Sequence, residues 1–81
     1  MTTFLDSEEE AKAFAITVIK NLDEKIFEQE PKVKKVENGR YVYTGKVYPF
    51  KSKGKDAKLI LIDMPEGWVI WTLISDKAQR Y

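Results

Sequence analysis

Neither cysteine nor histidine occurs anywhere in the 81 residues. The first absence excludes disulfide staples and thiolate chemistry. The second removes the side chain most used as a general base and as a metal ligand. Glycine is sparse, and Gly39, Gly45, Gly54 and Gly67 stand too far apart to write G-x-G-x-x-G or G-x-x-x-x-G-K-[ST]. A phosphate cradle of either kind is therefore excluded. No apolar run approaches the ~18 residues of a bilayer-spanning helix. The longest candidate, residues 68–74, is strand-sized. The first six residues carry no basic stretch ahead of an apolar core, so no secretory signal is expected. A cytoplasmic protein that does not enter a membrane is the expectation.

The remaining chemistry is thin. Ser7, Ser52 and Ser75 have no imidazole to activate them. Glycosidase-like paired carboxylates must face one cleft, whereas these acids fall on a helix exterior or at turns. Glu8, Glu9 and Glu10 crowd one helical turn, but adjacent positions fan outward instead of converging on a cation. The expectation is no catalytic residue, no cofactor, no metal site and no enzymatic activity.

What is present suits a packed globule: hydrophobic residues make up 43% and aromatics 12%, too much for a disordered chain. The length fits one domain over residues 1–81. Its core must be thin, because a chain of this size buries only roughly 60–65% of its unfolded surface. The net charge of +1 hides a segregation. Residues 1–30 hold eight acids against three lysines, and residues 31–58 hold nine bases against two acids. Such a split either neutralises itself across the fold or leaves a basic stripe for an anionic partner.

Ser7 and Glu10 form an S-x-x-E capping box, with three glutamates at the positive end of the helix dipole. Ala11, Phe14, Ala15, Val18, Ile19, Leu22 and Ile26 gather on one stripe at 100° per residue. Pro31 disfavours helix at Glu30, so the periodicity predicts one helix from Ser7 to Glu28, roughly 32 Å long. Ile16 and Phe27 fall off the stripe.

Asn38-Gly39 predicts a type I′ hairpin that pairs Val36 with Tyr41 and Lys34 with Tyr43. One face then carries Val36, Tyr41, Tyr43 and Val47, and the other Val33, Val42, Tyr48 and Phe50. The lysine-rich first strand reads as a sheet edge. Residues 50–56 show no apolar period and read as a cationic loop. A second hairpin follows around Met64-Pro65-Glu66-Gly67, with Met64 opposite Trp68. That register puts Ile60, Ile62, Met64, Trp68, Ile70 and Ile74 on one face, and Leu59, Leu61, Val69, Trp71 and Leu73 on the other. The expected fold is therefore α+β: one long N-terminal amphipathic helix on a four-stranded antiparallel sheet of two hairpins.

Both faces of the second hairpin are apolar, although an antiparallel sheet under one helix should alternate. One helix about 10 Å wide covers one face. The other must curl upon itself, be covered by residues 76–81, or meet another chain. The function expected on this ground is a small regulatory or binding module that acts through protein–protein contact. It would work as a homodimer or as an inhibitor or adaptor of a larger machine. Leu61, Val69, Trp71 and Leu73 form its expected contact surface. A one-residue register slip would pass Trp71's role to Trp68. The alternative is single-stranded nucleic-acid binding by the basic, aromatic-interleaved segment 32–58, through Arg40, Tyr41, Tyr43, Lys46, Lys51, Lys53 and Lys55.

Overall fold

A computed structural model describes residues 2–81. Helix α1 spans Glu8–Val18 and is followed by a 3-10 helix, Glu24–Glu28. Five strands complete the fold: β1 (Lys32–Asn38), β2 (Tyr41–Ser52), β3 (Lys55–Met64), β4 (Gly67–Ile74) and β5 (Lys77–Arg80). They form one antiparallel sheet in the order β1-β2-β3-β4-β5. The fold is α+β as expected, with five strands in place of four and a shorter helix.

Half of the expected capping box forms at the start of α1, and the Glu10 carboxylate reaches back one residue further than the N-cap Ser7, to Asp6. The Glu10 N–H donates to Ser7 Oγ at 3.1 Å, and Glu10 Oε2 accepts from the Asp6 N–H at 3.0 Å. The helix stops ten residues before the expected Glu28. Ile19 is already extended, Asn21 takes φ +65°, and the Asp23 side chain caps the 3-10 helix by accepting from the Lys25 N–H. Asn and Asp hydrogen-bond local backbone and tolerate left-handed φ, so they end helices that apolar periodicity alone would prolong. The molecule measures 34 × 26 × 25 Å. A straight helix of roughly 32 Å would run its whole length, whereas the break turns Leu22 and Ile26 back into the core.

Ala11 and Ala15 are fully buried, and their small side chains let α1 settle against β3 and β4. Beneath lie Leu59, Leu61 and Ile70. The 3-10 helix packs on β2, where the Phe27 ring meets Tyr48 edge-on at 5.1 Å. It can do so because β1 ends opposite Val47, which leaves the rest of β2 unpaired on that side. Pro49, which has no N–H to give, sits in this free stretch, and its carbonyl accepts from Gln29 Nε2 at 3.0 Å.

All four strand connections are two-residue turns. Residues 50–56, expected as a loop, instead continue β2 into β3 through Lys53-Gly54, both at positive φ. Ser75-Asp76 does the same between β4 and β5, also at positive φ. Positive φ at both central positions marks the type I′ turn, whose twist suits paired strands. The C-terminal residues therefore extend the sheet sideways and do not fold over its face. The N-terminal segment runs along the same edge of β4: Leu5 pairs with Trp68, and the Thr3 N–H donates to the Tyr81 carbonyl at 2.9 Å.

Both expected registers shift. In the first hairpin the loop is Gly39-Arg40, and Val36 faces Tyr43 where Tyr41 was expected. That two-residue slip leaves every side chain on its expected face, since the strand period is two. In the second hairpin Met64 pairs with Gly67, and Trp68 faces Asp63. This one-residue slip moves all of β4 to the opposite face. Gly67 opens β4 directly after this turn. With φ +144°, a Cβ there would stand 2.7 Å from the Leu5 carbonyl oxygen, so glycine is held where the N-terminal segment comes closest.

Candidate functional site

Paired residues in an antiparallel ladder share a face, so the register sorts the side chains. Lys46, Tyr48, Leu59, Leu61, Trp68, Ile70 and Thr72 face the helix layer. The opposite face carries Val36, Tyr43, Val47, Ile60, Ile62, Met64, Val69, Trp71 and Leu73. On that side Ile62, Met64 and Val69 are buried, with Val36, Tyr43, Ile60 and Trp71 packed around them. Every member of this second cluster is a strand residue. Among the described residues no helix packs on it, and it is called the open face below.

The charges follow the same division. One row crosses the whole sheet from β1 to β5: Lys32, Val47, Ile60, Trp71 and Arg80. A cation stands at each end and three apolar residues lie between. The next row begins at Lys34, and Lys58 lies beside Leu73. Lys51 and Asp56 also lie on this face, and they pair with each other. The hydrogen bond from Lys51 lowers the Asp56 pKa below the usual aspartate value. Among the described residues, Lys32, Lys34, Lys58 and Arg80 have no carboxylate within 4.0 Å. The Arg80 guanidinium lies over the Trp71 ring at 4.6 Å from its centroid, a cation–π contact. Glu8, Glu9 and Glu10 lie on the other side of the sheet, in the first turn of α1. The basic stretch of sequence is itself divided: Lys32, Lys34, Lys51 and Lys58 lie on the open face, and Lys35, Lys46 and Lys55 on the helix side.

The expected contact residues separate. Leu61 is fully buried under α1 and presents nothing. Val69 is on the open face but also fully buried, as part of its floor. Trp71 and Leu73 lie on the open face and are half-buried. Trp68 faces the helix layer, where Lys46 Nζ lies 5.9 Å from its ring centroid. The nucleic-acid set scatters as well. Tyr41 and Tyr43 share the open face with centroids 6.3 Å apart. Arg40 and Lys53 occupy turns, Lys55 takes the helix side, and Lys51 is paired. Lys46 lies on the helix side, in contact with both carboxylate oxygens of Glu8.

Ile60, Lys32, Lys34, Lys58 and Arg80 were not grouped by sequence reasoning. They come together only through the correct register of three ladders and through β5. The signal that could have found them is the period-two spacing of Lys32 and Lys34 with Val36, which puts all three on one face.

Elsewhere the surface offers little for chemistry. A hollow of about 500 Å³ opens at the end of the sheet between Phe50, Lys58, Leu73 and Asp76. Asp56 also lines it, but its carboxylate is held by Lys51. Among the described residues no three acidic side chains are grouped to hold a metal ion, and no helix is long and apolar enough to cross a membrane. Comparison with protein-family models, curated proteins and solved structures gives no match.

Proposed function

We propose that this chain is a non-enzymatic binding module whose open sheet face makes the contact with a protein partner. One observation carries the reading: an apolar bar of Ile60, Trp71 and Leu73, with Val36 and Tyr43 beside it, lies where no helix packs among the described residues. The residues that carry most of the energy in protein–protein contacts are enriched in tryptophan, tyrosine and arginine, and Trp71, Tyr43 and Arg80 all lie on this face. A regulator, inhibitor or adaptor of a larger assembly fits this reading, because such proteins work by occupying a surface.

Site-specific crosslinking in the cell of origin tests the proposal. A photoreactive residue at Leu73 is expected to yield discrete protein adducts, and one at Val33 on the other side is expected to yield none. Trp71→Ala should abolish the adducts while the circular dichroism of the fold persists. Adducts from both positions alike, or from neither, would remove the open face as the contact surface.

A further inference from the structure

Resting on the reading just given, we infer that the partner presents an acidic amphipathic segment: an apolar row with carboxylates on both of its sides. The argument is the order of residues across the open face. Lys32 and Arg80 terminate the row that runs through Val47, Ile60 and Trp71. Lys34 extends the cationic margin along β1, and Lys58 places a charge beside Leu73. A single acid, Asp56, belongs to this face among the strand residues, and Lys51 neutralises it. Apolar centre and charged margin are the ordinary division of labour in an interface: the centre supplies affinity, and the margin selects sign and speeds encounter.

The same order disfavours two other occupants. A second copy docked face to face about a two-fold axis would bring this cationic margin against itself, and like charges across an interface oppose association. A single nucleic-acid strand needs exposed aromatic planes for stacking. Here Arg80 already lies over Trp71, and the buried floor beneath is Ile62, Met64 and Val69. Tyr41 and Tyr43, tilted 39° to each other, remain the available rings.

The test uses the intact ¹⁵N-labelled chain and three probes: a synthetic peptide with one leucine row flanked by glutamates, its lysine-flanked counterpart, and an oligothymidylate. The glutamate peptide is expected to shift the Trp71 indole and the amides around Ile60 and Leu73, leaving α1 unmoved. Its affinity should fall about tenfold or more in the double variant Lys34→Glu, Lys58→Glu. That variant should gain affinity for the lysine peptide. Equal binding of both peptides at this face overturns the charge inference and leaves the contact reading standing. Failure of both to move the face overturns the contact reading itself. Tighter binding of the oligothymidylate than of the glutamate peptide assigns the face to nucleic acid. Movement of the Trp71 signals with protein concentration alone assigns it to a second copy. Either of these last results overturns the inference.

Discussion

Lys46 Nζ lies 2.8 Å from one carboxylate oxygen of Glu8 and 2.9 Å from the other, which ties the first turn of α1 to the middle of β2. The two side chains keep 33% and 24% of their exposure, and Lys12 adds a longer contact to Glu8 at 3.6 Å. The hydrogen bond from Lys46 holds the Glu8 pKa below its ordinary value, against the opposing cost of burial. The same bond holds Lys46 above its ordinary value. A depressed carboxyl contributes stability above its unfolded pKa and loses it as pH falls through the folded one. A raised amine contributes below its unfolded pKa and loses it as pH rises through the folded one. The pair therefore stabilises through the neutral range and fails at both ends. A double-mutant cycle of Glu8→Gln and Lys46→Met should give a coupling of about 0.5–1 kcal/mol at neutral pH. It should shrink toward zero in acid, where Glu8 protonates. A coupling that persists in acid would identify the contact as packing and not charge.

Gly45 lies under Val36. A Cβ at this position would stand 2.7 Å from Val36 Cγ2 and 3.2 Å from Ile60 Cγ2. Valine has little χ1 freedom with which to yield. Gly45→Ala should destabilise by about 1–3 kcal/mol through overpacking. Val36→Ala makes room, so the double variant should cost clearly less than the two single changes added together. Additive costs in urea unfolding would falsify the steric account.

Leu22 lies beyond the end of α1 and is still 92% buried by its 8% exposure. Leu22→Ala should cost about 2–4 kcal/mol from lost transfer energy and the cavity left behind. A loss below about 0.5 kcal/mol, the range of ordinary surface changes, would mean that the segment after the helix does not close on the sheet.

Thr72 contributes the one buried side-chain oxygen that lacks a hydrogen-bond partner among the described residues. Thr72→Val keeps the shape and removes the hydroxyl. Thermal unfolding should show a gain of about 1 kcal/mol, since an unpaired buried hydroxyl carries an uncompensated desolvation cost. A loss of stability would instead reveal a water bound to that oxygen.

The α+β class, the helix start at Ser7 and Glu10, and the two apolar faces were legible because each depends on composition or on short-range periodicity. The helix end was not. Leu22 and Ile26 continue the helical stripe, and only the turn preferences of Asn21 and Asp23 oppose it. Strand β5 was hidden because Ser75-Asp76 adopts, without glycine, a turn that usually announces itself by Asn-Gly. Lys53-Gly54 was passed over for a related reason, since lysine is seldom held at positive φ. Leu5 approaches Gly67, two residues 62 positions apart by their numbers, and it is Gly67 that Met64 faces in the second hairpin. Local pattern carries no trace of such a contact. The pairing of Met64 with Gly67 decides which tryptophan faces the helix, and so the composition of the candidate face was out of reach while the presence of two apolar faces was not.

The four two-residue turns also have a kinetic meaning. Each strand finds its partner immediately behind it in the chain, so the sheet can assemble hairpin by hairpin with short loop closures throughout. Sheets of this kind escape the slow search that sequence-distant pairings impose on sandwiches and barrels. Thr3 and Leu5 are different. Their hydrogen bonds to Tyr81 and Trp68 join backbone from opposite ends of the chain, and they are useful only after β4 and β5 are in place. This seam is therefore expected to close late, to have φ-values near zero, and to govern how quickly the native state opens more than how quickly it forms.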